Sequence, residues 1–186
     1  PNTPELLKRL SGSKHSLLDV KPIALVGCGS VGSKVGLHLS RNGVGPFLCI
    51  DNDIFLPHNN ARHALSLPLT QYKSELLSHA MRSVAQIDAM AINESALKVD
   101  YSGTRIIIDT SADLSVRAFL MGAGKLPPIV SMGLYDSGRC GILFLENIQQ
   151  DVRLTDLWAH VYRMALVNGE LRRALFDQQK QRVAIR

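Results

Sequence analysis

An open, mainly parallel α/β sheet with helices on both faces is the fold class this sequence predicts. Three observations predict it. Short apolar runs alternate with helical patterns along most of the chain. Glycine or aspartate closes several of those runs, as expected where strand ends form a ligand-binding edge. Two late apolar runs are separated only by a turn, which makes part of the sheet an antiparallel C-terminal hairpin.

The elements follow in order. Residues 2–19 read as a helix and a loop leading into the first strand. Ile23-Ala24-Leu25-Val26, after Pro22, is an apolar run suited to a strand covered on both faces. From about Val31 to Arg41 the chain reads as a helix, with Val31, Val35, Leu37 and Leu39 on its apolar side and Asn42-Gly43 as its stop. Phe47–Ile50 is the next strand, closed by Asp51. Residues 52–69 form a long connection in which Pro57 and Pro68 forbid one continuous helix, and a connection of this length in a compact domain is usually functional. A helix starts near Thr70, carrying Leu76, Leu77, Ala80, Met81, Val84 and Ile87 at helical spacing. Ala89 to Leu97 reads as a strand, and Ile106-Ile107-Ile108 as another, ending in Asp109-Thr110. Ser111 and Asp113 are caps for a helix through Arg117, Phe119 and Leu120 that stops near Gly122-Ala123-Gly124. Ile129–Met132 is a fifth strand, Tyr135-Asp136-Ser137-Gly138 a turn, and Cys140–Leu145 its hairpin partner. Leu154, Leu157, Val161 and Ala165 mark one more helix, ended by Asn168-Gly169, and a basic helix follows.

Length and composition narrow the class. At 186 residues the chain is expected to be one domain, 1–186, with a substantial core. Its 46% hydrophobic and 20% charged residues are an ordinary soluble balance. No apolar run has membrane-spanning length and no signal-peptide pattern occurs, so no membrane partner is expected. Three scattered cysteines (Cys28, Cys49, Cys140) make no disulfide framework and no C-x-x-C pair, and a cytoplasmic setting is expected. The net charge of +5 is modest and its basic residues are dispersed except near the C-terminus, with neither zinc-finger spacing nor RNP-like aromatics, so nucleic acid is not expected. The start at Pro1 leads us to expect a fragment of a longer protein.

The informative motif is Gly27-Cys28-Gly29-Ser30-Val31-Gly32-Ser33. It lies between a strand and a helix, the Rossmann-like context that makes G-x-G-x-x-G meaningful. Gly27 allows the tight turn, Gly29 lets a ligand approach the backbone, and Gly32 lets helix and strand pack closely. The free N–H groups at the helix start attract phosphate, and Asp51 suits ribose hydroxyls. This motif serves ATP and a dinucleotide equally. A second cluster follows: Asp51-Asn52-Asp53, then Asn59, Arg62, Lys73 and Asp109. Arg62 and Lys73 are candidates to face phosphates; Arg62 could instead pair with Asp53, and Lys73 could be a solvated lysine. Asp109, ending a strand of isoleucines, could hold Mg²⁺ or cap the next helix. Asn59 could bind phosphate or tie a turn. The six histidines have no metal-ligand spacing, and His58 and His63 are taken as loop residues. Cys28 is a small residue of the turn, Cys140 is expected to be buried, and Trp158 is expected in the core.

The run from Val26 to Ser33, then Arg41-Asn42-Gly43-Val44-Gly45, then Asp51 to His63 with its D-x-D-x5-N-x-x-R spacing, resembles the ThiF/MoeB/HesA family of E1-like enzymes. The detailed resemblance spans residues 22 to about 110. It implies that Gly27, Gly29 and Gly32 cradle ATP, that Asp51 binds the ribose with Asp53 in support, and that Asn59, Arg62 and Lys73 contact the phosphates. It implies that Asp109 helps bind Mg²⁺. The implied reaction is adenylation of the C-terminal glycine carboxylate of a small ubiquitin-like or sulfur-carrier protein, with release of pyrophosphate. It implies a homodimer as well. The chain departs from the family in lacking zinc-binding cysteine pairs and a thioester-cysteine domain, and in carrying Arg62-His63 where the family often has Arg-Gln. Two other readings remain at this point: an NAD-dependent oxidoreductase, and a non-catalytic partner subunit.

Overall fold

The computed structural model describes residues 3–12, 21–66 and 70–176. The predicted loop over 13–19, Pro68 and the chain beyond Phe176 lie outside the described residues. The first helix, α1 (Pro4–Leu10), is capped by Thr3, whose hydroxyl accepts from the Leu6 amide. The order then runs β1 (Ile23–Val26), α2 (Ser30–Arg41), β2 (Phe47–Ile50), β3 (Ile54–Phe55), a 3₁₀ turn (Pro57–Ala61), β4 (Gln71–Tyr72) and α3 (Lys73–Ala85). It continues with β5 (Ala89–Ile92), β6 (Ile106–Asp109), α4 (Leu114–Gly122), β7 (Ile129–Tyr135), β8 (Cys140–Leu145), α5 (Leu154–Val167) and α6 (Gly169–Phe176).

Six strands form one sheet in the order β5-β2-β1-β6-β7-β8, all parallel except the β7–β8 hairpin. The predicted fold class is the observed one. From β1 the chain winds outward through β2 to β5, then returns to β6 on the other side of β1. At such a reversal the loops after the two central strands diverge and leave a crevice. The register sets Val26 beside both Ile50 and Asp109, so Gly27, Asp51 and Thr110 leave the sheet at the same edge.

Each face of the sheet has its own core. On one face Leu37 of α2 and Leu77, Ala80 and Met81 of α3 pack with Ile23, Leu25, Phe47 and Cys49. On the other, Val116 and Leu120 of α4 and Leu154 and Trp158 of α5 pack with Ala24, Val26, Ile107 and Ile129. Trp158 is buried as expected, with the Arg117 guanidinium over its ring at 4.0 Å. Among the described residues, no helix is long and apolar enough to cross a membrane.

Several boundaries differ from the sequence-based expectation. The helix expected from Thr70 starts at Lys73, because Gln71-Tyr72 pair with Phe55-Ile54 in a two-stranded sheet. It ends at Ala85, where Gln86 turns left-handed at φ 52°, so Ile87 is buried outside the helix and Val84 is exposed. β5 stops at Ile92, short of the expected Leu97. Asn93 accepts from the Ser74 hydroxyl and donates to Glu75, drawing the chain onto α3. β7 runs three residues past Met132. Cys140 was expected to be buried and is not: it opens an edge strand and is half-exposed.

Candidate functional site

The edge where β1, β2 and β6 end opens into a cavity of about 590 Å³, within the ~300–1,000 Å³ range typical of small-molecule sites. Gly27, Gly29, Asp51, Asp53, Asn59, Arg62 and Lys73 all line it. Residues spread over nearly fifty positions of sequence therefore share one wall system.

The glycine turn is built by close approach. Gly27 has φ +85°, and a Cβ there would lie 2.7 Å from the Ser111 backbone. A Cβ on Gly32 would lie 1.9 Å from the Gly27 carbonyl oxygen and 2.5 Å from the Thr110 hydroxyl. That hydroxyl donates to the Gly27 carbonyl at 2.6 Å and locks the turn to β6. At Gly29 the space beyond the backbone is open. α2 starts there with no capping side chain and no acidic residue in its first turn. Among the described residues no side chain caps its first amides, which leaves the start of α2 a ready anion site.

Asp51 is the hinge between turn and loop. One carboxylate oxygen accepts from the Cys28 amide at 2.7 Å and the other from the Asp53 amide at 2.8 Å. Burial pushes its pKa up; the two amide bonds oppose this. The Cys28 thiol is fully buried, and its contact with Cys49, with burial second, pushes it well above the usual thiol range. That is the setting of an inert thiol.

His63, taken from the sequence as a plain loop residue, also lines the cavity. Its Nε2 lies 2.8 Å from the Cys28 carbonyl oxygen, and its Nδ1 accepts from the Leu65 amide at 3.1 Å. Phe55 meets the ring edge-on with centroids 5.0 Å apart. Desolvation, ahead of every other influence, holds its pKa below the ordinary histidine value. Around it the loop is stitched to α2. The Arg62 carbonyl accepts from Ser30 Oγ at 3.0 Å and Lys34 Nζ at 2.7 Å, and Ser33 Oγ accepts from the Ala64 amide at 3.0 Å.

The cations differ in their pairing. Lys73, first residue of α3, donates to Asp53 at 2.7 Å. The expected alternative partner for Asp53, Arg62, is not the observed one. Among the described residues, no carboxylate forms an ion pair with Arg62. Asn59 Oδ1 accepts from the Leu56 amide at 2.8 Å and so ties its turn, while the residue also lines the cavity.

The acidic loop after β6 is layered. Asp109 is buried: Ser111 donates to one oxygen through its amide and hydroxyl (3.0 and 2.7 Å), and Ser131 donates to the other at 3.1 Å. It sits behind the cavity wall. The acidic residue of this loop that lines the cavity is Asp113, whose Oδ1 also caps α4 by accepting from the Ser115 amide and hydroxyl. The Ser115 hydroxyl, ahead of its amide, holds the Asp113 pKa below the carboxylate range. Between them Ala112 is left-handed at φ 54°. Among the described residues no group of three or more His, Cys, Asp or Glu is arranged to hold a metal. Sequence reasoning also missed Glu94, Ser95 and Ala96, which form the far wall. No spacing pointed to them, because they reach the edge only once β5 takes its place outside β2.

No family model matches the chain. In sequence it is similar to the ATP-dependent ubiquitin transferase-like protein Cap2 of Vibrio cholerae, at 30% identity over 153 residues, 66% of this chain and 25% of the relative. Cap2 of Escherichia coli is 35% identical over 145 residues, 70% and 25% of the two chains. The chain thus spans about a quarter of these curated relatives. In fold it is similar to E. coli MccB crystallised with AMPCPP and MccA (TM-score 0.61, 17% identity, 82% of this chain and 48% of that one). It is also similar to the E. coli tRNA N6-threonylcarbamoyladenosine dehydratase TcdA in complex with AMP (TM-score 0.59, 23% identity, 70% and 57%).

Proposed function

We propose that this chain is the ATP-binding module of an E1-like adenylating enzyme of the ThiF/MoeB type, acting on the C-terminal carboxylate of a small protein or peptide. The observation that carries the reading is the convergence of Arg62, Lys73 and the uncapped start of α2 on one cavity. A dinucleotide site needs the glycine turn and Asp51; it gives no reason for two further cations at the same wall. Relatives named ATP-dependent ubiquitin transferase-like support ATP as the nucleotide and a ubiquitin-like protein as the acceptor. The MccB structure with a peptide, MccA, supports a carboxylate-bearing chain more generally.

In this reading the amides at the start of α2 take a phosphate, and Asp51 accepts from the ribose with lone pairs its amide partners leave free. Lys73 leaves Asp53 for the polyphosphate, and Arg62 and Asn59 meet the same anion. The acceptor carboxylate oxygen forms a bond to the α-phosphorus while the bond to the bridging oxygen breaks, and the electron pair departs with pyrophosphate. Positioning and charge neutralisation supply the catalysis for such a displacement. Arg62 and Lys73 neutralise charge gathering on the leaving group.

Magnesium fits the loop after β6 if most of its shell is phosphate and water, which is its usual habit. Asp109, assigned by the resemblance, would have to give up Ser111 to reach it; Asp113 needs no such exchange. When bound, the ion would add further neutralisation of the phosphates. A homodimer and a cytoplasmic setting belong to the same reading.

Calorimetry tests it, with ATP with and without Mg²⁺, and NAD⁺, against wild type and Lys73→Ala. ATP binding strengthened by Mg²⁺ and weakened at least tenfold by Lys73→Ala is the expected outcome, an electrostatic loss of the size seen for charge-assisted contacts. NAD⁺ binding indifferent to the substitution would move the assignment to an oxidoreductase.

A further inference from the structure

We propose that His63 is a positioning residue of this site: as a neutral imidazole protonated on Nε2, it clamps the glycine turn to the segment carrying Arg62. The proposal rests on the nucleotide-binding reading for its consequence, though not for its geometry. The Leu65 amide can only donate, so Nδ1 facing it at 3.1 Å must be the acceptor. The ring proton is then on Nε2 and is donated to the Cys28 carbonyl at 2.8 Å. The same peptide unit's neighbour, the Cys28 amide, donates to Asp51. The imidazole therefore ties the turn to the loop after Arg62, and the Cys28 amide ties the same turn to Asp51 at the end of β2. Phe55 packs against the ring in a T-shaped contact, with centroids 5.0 Å apart.

The clamp has a built-in acid limit. A second proton would go onto Nδ1, where it would face the Leu65 N–H and replace an attraction with a repulsion. The charged groups around the ring act in the same sense on balance. Lys73 from α3 and Lys34 from α2 both disfavour a cation there, as does burial. Arg62 is next in the chain. Of the acids, Asp51 is occupied by the Cys28 and Asp53 amides and Asp53 by Lys73. Acid should therefore loosen Arg62–Leu65 from the turn and weaken phosphate binding. Glutamine is the informative replacement, since its amide can donate to the Cys28 carbonyl and accept from Leu65 but does not titrate near neutrality.

The test has two arms on the same proteins. In the first, ¹⁵N-histidine NMR of the nucleotide-free wild type, with the His63 signals identified by their loss in His63→Gln, reads tautomer and titration. A neutral Nε2–H ring that titrates below the ordinary histidine range is expected. An Nδ1–H tautomer, or titration at or above the ordinary value, overturns the proposal whether or not any nucleotide binds. In the second, ATP affinity is measured between pH 8 and pH 5.5 in wild type, His63→Ala and His63→Gln. His63→Ala is expected to lose about tenfold at pH 8, the scale of a broken buried hydrogen bond. His63→Gln is expected to restore affinity to within about threefold and to lose the extra acid sensitivity that wild type shows. Equal affinities across all three proteins would overturn the clamp. Failure of wild type to bind ATP at all would sink the nucleotide reading and leave the first arm to decide on His63.

Discussion

Two ion pairs divide this molecule into a working half and a structural half. Lys73–Asp53 sits at the cavity with its acid 68% exposed, while Arg153–Glu146 lies between β8 and α5 with the Glu146 side chain 0% exposed. Asp53 accepts one side-chain bond and can release it. Glu146 accepts four donors: the Ile129 and Leu154 amides at 3.0 and 2.6 Å, Arg153 Nε at 3.2 Å and Gln150 Nε2 at 3.3 Å. Polar groups that are fully satisfied and sealed hold a fold together, whereas those with spare capacity beside a cavity await a ligand. Under the proposed function, the difference makes the β1–β2–α3 side the binding half and the β7–β8–α5 side its support.

The sealed pair should give the largest effect. Glu146→Ala would orphan two backbone amides and leave Arg153 without its acid. Breaking a buried pair of this kind costs about 3–5 kcal/mol, so urea unfolding should show most of the stability lost. Nucleotide affinity of the fraction still folded should be unchanged. A loss under about 1 kcal/mol would mean that Glu146 is not the anchor of the β8–α5 connection.

The open pair should respond in the opposite way. Asp53→Asn is expected to change stability by less than about 1 kcal/mol, the range for solvent-facing pairs. ATP affinity should stay within about threefold, since Lys73 is freed without being removed. Lys73→Ala should be equally mild on stability and severe on affinity. If Asp53→Asn abolished binding, Asp53 would be a ligand contact in its own right and the division between the two pairs would need redrawing.

This contrast also describes how much was legible in the sequence. Uninterrupted apolar runs such as Ile23–Val26 and Ile106–Ile108 announce buried parallel strands, because nothing else suits a residue covered on both faces. The glycine turn and the acid closing β2 sit within one strand–helix–strand unit, so local spacing reveals them. What escaped depends on distant partners. His63 meets Cys28 across 35 positions, and Glu146 meets Ile129 only after the hairpin forms. Asp109 and Asp113 are both acids near a strand end, and only the packed loop decides which one reaches the cavity. The β3–β4 pairing joins segments two residues long, too short for any periodicity.

The smallest effect should come from the strained wall of the same cavity, the loop between β6 and α4. Ala112 stands left-handed at φ 54° between Ser111 and Asp113, both lining the cavity. For an alanine that conformation costs about 1–2 kcal/mol relative to a right-handed one, a penalty glycine avoids. Glycine also gains freedom in the unfolded chain, which offsets roughly 0.4–1 kcal/mol of the relief. Ala112→Gly should therefore raise stability by about 0.5 kcal/mol in urea unfolding, a small shift in the direction opposite to that of Glu146→Ala. The same change loosens the loop that presents Asp113, so the Mg²⁺-dependent part of ATP binding should weaken while binding without Mg²⁺ stays constant. A stabilised variant with undiminished Mg²⁺ dependence would mean that the Ala112 strain is incidental to this wall, and that the Ser111 and Ser115 hydrogen bonds alone hold the acids in place.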